Sequence, residues 1–499
     1  MEHDDTRRSL TSRVARGTAW IASARLAMRA LGLVNTLVVA RLLAPEDFGL
    51  VAVAISAMQL LQGFSDIGVA QAVVRFDDAG RDDLDTLFTL SAIRGLAIAG
   101  LLALTAPLAG AFYGDPRMTN IFLAIAAAPL VAGCINPRFY EFERRLDFSK
   151  EFVFSVVNKF VGVAASITIA VIYRSYWAIV AGVVAGALTQ LAISYLMRPH
   201  IPRVTFASAR KVFGFTGWLT GVSFMAALNN KLDAFILARV IGVRLTGAYY
   251  LGQQLAQLSA AELASPLARA IYPGLSELKR EPERMRLAFL RGVAALGAIA
   301  MPASLGFAFV AEDFIELFLG EKWRVAVPVI QILAPVLGLQ TLFFAVQSYA
   351  MAAGLTRLVF FRELIFFCVR FPVFIWASMT YGLSGAVWAA AGLGLVHIAF
   401  DAALYARVSS AAPLDPFWSA RRSLMALAAM AAYFAWARPA MPGLEDVAVA
   451  WRLVADVAAG AGVYVVVHLL AWRAAACPDG IERVVFDFLK KLGTRTRQT

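Results

Sequence analysis

The chain has 499 residues, of which 60% are apolar, 12% aromatic and only 16% charged, with a mean hydropathy of +0.69. Soluble globular chains sit nearer half apolar and a quarter charged, so an ordinary cytosolic enzyme is disfavoured at once. The net charge of +12 is spread between apolar runs, not gathered in one block with interleaved aromatics, which argues against nucleic acid as a partner.

The first sixteen residues are polar, and no small-residue cleavage site follows an early apolar core, so no removable signal is expected. Apolar stretches long enough to cross lipid then follow at roughly 17–40, 48–72, 86–110, 119–136, 152–173, 176–197, 212–238, 246–272, 287–310, 325–350, 358–379, 383–405, 423–437 and 447–472. The expectation is therefore an all-α polytopic membrane protein of about 14 transmembrane helices. With the N-terminus in the cytoplasm, 28 of the Lys and Arg residues outside these spans fall on the inner side and 8 on the outer side. That asymmetry places both termini in the cytoplasm. After the last span, Ile481, Val484, Val485, Phe488, Leu489 and Leu492 recur at helical spacing beside Lys490 and Lys491, which reads as an amphipathic helix lying on the inner leaflet.

Sliding the chain against itself by 198 residues aligns Val39-Ala-Arg-Leu-Leu43 with Leu237-Ala-Arg-Val-Ile241, Gly49 with Gly247, Trp20 with Trp218 and Thr18 with Thr216. Two six-helix halves of the same orientation follow, a parallel repeat about an axis along the membrane normal, with two further helices added at the end. The organisation expected is a cytoplasmic N-terminus at 1–16, an N-terminal lobe at 17–197, a cytoplasmic linker at 198–211, a C-terminal lobe at 212–405, two additional helices within 423–472 and a basic tail at 473–499. A substrate would meet such a protein between the halves.

Charges within spans cost several kcal/mol unless they face water or a partner, so they are functional candidates. At about 1.5 Å per residue, Arg25 and Arg29 lie roughly 12 to 18 Å into a core about 30 Å thick, on one helix face. Arg94, Lys159 and Arg370 reach comparable depths. Lys231 and Asp233 lie near an outer helix end, and Arg269, Arg291 and Arg362 near inner ends where long side chains snorkel, so these are given less weight. Among the acids, Glu262 and the i, i+4 pair His397 and Asp401 are candidates for ion coupling, although a hydrogen-bonded packing pair is the commoner arrangement for the latter two. Five deep cations without an equal set of deep acids imply a positive cavity and an anionic substrate, with phosphate best suited to the arginine fork.

Cys134, Cys368 and Cys477 are far apart and lack metal-ligand spacing, so neither a disulfide framework nor a metal site is expected. The sequence holds no phosphate-binding loop, no H-E-x-x-H and no dinucleotide fingerprint, and its longest outer loop, 311–324, is too short for a catalytic domain. No cofactor is expected, and the reading is a transporter, not an enzyme.

The motifs Gly17-Thr-Ala-Trp20, Val39-Ala-Arg-Leu-Leu-Ala-Pro-Glu-Asp-Phe-Gly-Leu50 and Phe64-Ser-Asp-Ile-Gly-Val-Ala-Gln-Ala-Val-Val-Arg75 resemble the opening of bacterial polysaccharide transporters. Those include the Wzx-type flippases of the multidrug/oligosaccharidyl-lipid/polysaccharide exporter superfamily. Leu232-Asp-Ala-Phe-Ile-Leu-Ala-Arg-Val-Ile-Gly242, Gly247-Ala-Tyr-Tyr-Leu251 and Ala270-Ile-Tyr-Pro-Gly-Leu-Ser276 are similar to that family's seventh and eighth helices. The resemblance implies movement of an undecaprenyl-diphosphate-linked oligosaccharide across the bacterial inner membrane for lipopolysaccharide or exopolysaccharide synthesis, with Arg25, Arg29, Arg94 and Lys159 as the cavity cations. It also implies coupling to a proton or sodium ion, and leaves polysaccharide-assembly proteins open as partners. The competing readings are an ion-coupled drug or cation antiporter of the same superfamily, which needs deep carboxylates in place of the arginine excess, and a membrane scaffold or glycan polymerase.

Overall fold

In lipid no water is available to pair with backbone N–H and C=O groups, so a chain of this composition has to satisfy them within helices. The computed structural model describes residues 23, 26–64, 80–144, 148–209, 217–277, 281–441, 447–475 and 482, and among them it contains helices and turns but no strand. Six of the described helices are long and apolar enough to cross a membrane: Arg81–Tyr113, Ser149–Tyr173, Trp177–Met197, Glu283–Phe309, Glu321–Met351 and Val449–Ala474. The chain divides into two compact units, Met1–Gly247 and Ala248–Thr499.

In the first unit, helix α1 covers 26–42 and α2 covers Pro45–Phe64. Helix α3, Arg81–Tyr113, stops at Gly114, whose φ of 69° turns the chain and sends its N–H back to the Gly110 carbonyl. The fourth expected span is not one rod. It breaks at Ala126 into α4, Arg117–Ile125, and α5, Ala127–Gly133. Pro129 explains the break: it has no N–H to return to the Ile125 carbonyl four residues earlier. Helices α6, Phe148–Tyr173, and α7, Trp177–Met197, pair as a hairpin, and α8, Gly217–Val240, packs along α2. Leu50, Val53 and Ala54 of α2, Leu102 of α3, Ile121 and Ile125 of α4 and Val180 of α7 form one buried core.

The closest backbone approach in this unit involves the first turns of α9, which runs from Gly242 to Glu277. A Cβ placed on Gly49 would overlap the Val243 carbonyl oxygen, and one placed on Gly247 would overlap the Pro45 carbonyl oxygen. Only glycine permits this contact, and it is reciprocal: Pro45 and Val243, like Gly49 and Gly247, are 198 positions apart. Glu46 and Arg244, also 198 apart, form an ion pair of 3.4 Å beside it.

After Met197 the chain leaves α7 as an irregular strip over 198–206, tied to the start of α3. His200 Nε2 lies 2.8 Å from the buried Asp85 carboxylate, the Thr205 N–H donates to Thr89 Oγ1 at 3.1 Å, and the Ser208 N–H donates to Thr86 Oγ1 at 3.3 Å. Asn136 holds the beginning of the strip by donating to the Arg198 carbonyl.

In the second unit, α10 is Pro282–Phe309 and α11 is Val327–Gln340, after which a tight turn at Thr341–Phe343 and a short helix, Val346–Ala352, replace the remainder of the expected tenth span. Two expected spans, 358–379 and 383–405, form the two arms of α12, Thr356–Ser409, broken at Gly382 where φ is 62° and ψ is −138°. The arms fold back alongside each other, since Arg362 on the first meets Asp401 on the second. Helix α13, Arg421–Ala432, widens into a π turn at Tyr433–Ala437, and α14 is Val449–Ala474. The added helices are fastened by polar contacts. Arg452 grips Asp313 with Nε 2.9 and 3.0 Å from its two oxygens, Arg438 Nε donates to Asp456 at 2.7 Å, and the Tyr464 hydroxyl donates to the Ala298 carbonyl at 3.0 Å.

A Gly49→Ala or Gly247→Ala substitution should lower the thermal midpoint in detergent, at an overpacking cost of about 1–3 kcal/mol. Gly100→Ala, where a Cβ meets nothing within 4 Å, should leave the midpoint unchanged or raise it. Melting curves followed by size-exclusion chromatography separate the two outcomes.

Candidate functional site

Of the five cations singled out in the sequence, Arg25 lies outside the described residues. Arg29 is half-buried on α1, Arg94 is half-buried on α3, and Lys159 sits on α6. Lys159 reaches α1 because Gly32 has no side chain: a Cβ there would stand 3.5 Å from its Cε and 3.7 Å from its Nζ. Gly32 follows Arg29 by three residues, so the ammonium arrives one turn along the same helix face. Arg94 points toward the end of α2, its Nη2 3.5 Å from the Gln62 carbonyl oxygen. Three helices of the first unit thus each carry one of these cations. Arg370 belongs to the second unit, on the first arm of α12, with its guanidinium 5.9 Å from the centre of the Phe374 ring.

The second unit holds a more condensed cluster. Arg362 is buried and donates to both Asp401 and Glu363. Asp401 in turn faces His397 Nδ1 at 3.2 Å, and the Phe366 ring packs edge-on to the imidazole with centroids 4.6 Å apart. The sequence picked out His397 and Asp401 for their i, i+4 spacing but gave Arg362 little weight, because its position near a helix end suggested snorkelling. What redirects it is the fold-back at Gly382, which brings an acid 39 residues away to its tip. Two carboxylates and an imidazole thus gather about one guanidinium inside the fold. The side chain of Glu262 lies outside the described residues, although its backbone belongs to α9.

Asn229 and Asp233 are both buried on α8, four residues apart and so on one face. The spacing was visible in the sequence. Depth alone, which put Asp233 near a helix end, gave no sign that both would be enclosed.

Arg362→Leu should cost about 3–5 kcal/mol of stability, because it strands two buried carboxylates. Glu363→Gln should cost less, since the guanidinium keeps Asp401. Thermal unfolding of the purified variants in detergent tests the order, and equal midpoints for the two would contradict it.

With this geometry in place, comparison with known proteins is informative. Residues 38–328 match the family described as polysaccharide biosynthesis protein. The lipopolysaccharide biosynthesis protein WzxC of Escherichia coli strain K12 is 25% identical over 398 residues, covering 78% of this chain and 80% of that protein. The succinoglycan biosynthesis transport protein ExoT of Rhizobium meliloti strain 1021 is 23% identical over 356 residues, covering 70% of this chain and 72% of that one. Among solved structures, the lipid II flippase MurJ in an inward closed conformation superposes with a TM-score of 0.70 at 14% identity, over 91% of this chain and 99% of that one. The fold is therefore MurJ-like, and the protein is a multi-pass membrane protein. On the family match over more than half its length, the chain belongs to the polysaccharide biosynthesis proteins and, within them, to the polysaccharide transporters that include the Wzx-type flippases.

Proposed function

We propose that this protein is a flippase carrying an undecaprenyl-diphosphate-linked oligosaccharide from the inner to the outer leaflet of a bacterial inner membrane by alternating access, with both termini in the cytoplasm. What supports the reading is the placing of Lys159 of α6 against Gly32 of α1, one turn from Arg29, with Arg94 on α3 as a further cation of the same unit. A diphosphate offers acceptor oxygens to such a set, and arginine stays charged in the partly dry surroundings where an exposed ion pair would be screened. The lipid tail keeps its place in hydrocarbon while the cations offset the cost of moving the head group. The names of the relatives, which concern polysaccharide biosynthesis and transport, support the same substrate class.

The architecture that goes with this function is about fourteen spans in two like-oriented six-helix halves and two added helices. The reciprocal contact of Gly49 with Val243 and Gly247 with Pro45 supports it, because positions related by a repeat meet about a local two-fold only when each contact has its mirror. For coupling, the Arg362, Glu363, Asp401 and His397 cluster favours a proton over sodium. The guanidinium takes one oxygen of each carboxylate and the imidazole faces the second oxygen of Asp401, so a sodium ion would compete with them for ligands, whereas a proton needs a single lone pair.

In cells that depend on this protein for surface polysaccharide, Arg29→Ala and Lys159→Ala should each reduce export strongly, and Arg29→Lys should retain part of it. Unchanged polysaccharide in all three would remove the cation set from the mechanism. In reconstituted vesicles, flipping of the lipid-linked oligosaccharide should accelerate under an imposed pH gradient and lose that response in His397→Ala. A response to sodium alone would reverse the assignment of the ion.

A further inference from the structure

The strip at 198–206 is bonded along one edge and bare along the other. His200, the Thr205 and Ser208 amides and the Arg203 carbonyl all face Asp85, Thr86 and Thr89 at the start of α3. On the free edge Ile201 is 83% exposed, Val204 79% and Phe206 56%. Three large apolar side chains left bare within six residues would be a liability in water. Their position decides what covers them. The strip begins where α7 ends at Met197 and is pinned to the first turns of α3, so it lies where two apolar, membrane-length helices leave the bilayer. Its chemistry fits that level: Arg203 is exposed between the apolar residues, and no acidic residue occurs from 198 to 211, which also contains Arg198, Arg210 and Lys211.

We infer that residues 198–206 form a lipid-binding strap, with Ile201, Val204 and Phe206 inserted among the acyl chains of the adjoining leaflet and Arg203 on the phosphates of anionic phospholipids. The leaflet is the cytoplasmic one, a detail that rests on the orientation proposed above. The apolar edge supplies insertion and the basic residue supplies preference for acidic head groups, the two-part arrangement by which a short segment lies on a membrane without crossing it. The hydrogen bonds to α3 hold the strip open, since an extended strip has no internal bonds of its own to satisfy its backbone.

The test uses the full chain in vesicles. In a background with Cys134, Cys368 and Cys477 replaced by serine, nitroxide labels on Ile201→Cys, Val204→Cys and Phe206→Cys should collide with oxygen and lose access to a water-soluble nickel chelate. They should sit deeper in phosphatidylglycerol than in phosphatidylcholine vesicles, and Arg203→Glu should abolish that difference. Free access to the chelate, or exclusion of both reagents as under a covering protein, would overturn the strap; equal depth in both lipids would overturn its preference for anionic head groups. The unaltered protein offers a second reading. In nanodiscs containing photoactivatable phosphatidylglycerol, crosslinks should map to 201–206, and their absence there would also overturn the proposal. An impermeant thiol reagent applied to inverted vesicles carrying Arg203→Cys, at the head-group position, reports which side carries the strap, so an error in orientation would show there without altering the depth.

Discussion

Charge carried into hydrocarbon has to be met there by an opposite charge, a dipole or water, and the cost of failing to do so is about 2.5–3.5 kcal/mol per residue even on the mildest scale. The two units answer that demand differently. In the second, Arg362, Glu363, Asp401 and His397 meet one another inside the fold. In the first, Arg29, Arg94 and Lys159 come from separate helices, and Lys159 is seated in the gap left by Gly32. One arrangement gathers opposite charges at a single point, and the other distributes cations over three helices.

Helix positions were largely legible in the sequence because lipid imposes a length and a polarity on each span, leaving little for tertiary context to override. Departures occur where the backbone changes direction inside an apolar run. The break at Ala126 followed from Pro129, whose effect on the carbonyl four residues earlier is a local rule that hydropathy ignores. The reversal at Gly382 lies between the two expected spans, yet the pairing of Arg362 with Asp401 that it creates is a long-range contact without a periodic signature. Depth ranked the candidate residues by how far along a helix they sit, not by which face they occupy. It singled out Arg29, Arg94 and Lys159 as candidates and gave no sign that Arg362 and Asp233 would be enclosed.

Both units tie down the chain that leaves their last paired helices by the same means. In the first, the opening turns of α3 hold the strip after α7 through Asp85, Thr86 and Thr89. In the second, Arg286 near the start of α10 holds Asp415, just beyond α12, at 2.9 Å and is itself braced by Glu283 at 3.1 Å. Asp85 and Glu283 are 198 positions apart, so one register supplies an acid at the same place in each unit. The partners differ, histidine and hydroxyls in one and an arginine in the other.

The fastening of α14 constrains how this architecture can be shortened. Asp313 is engaged by a forked arginine that comes from the final helix, and the main-chain oxygen of Ala298 is met by a phenol from the same helix. Removing α14 would take the guanidinium from Asp313 and the phenol from the Ala298 carbonyl in one step. Any shortened form of the chain therefore has to find another partner for a main-chain oxygen inside α10, where water is scarce.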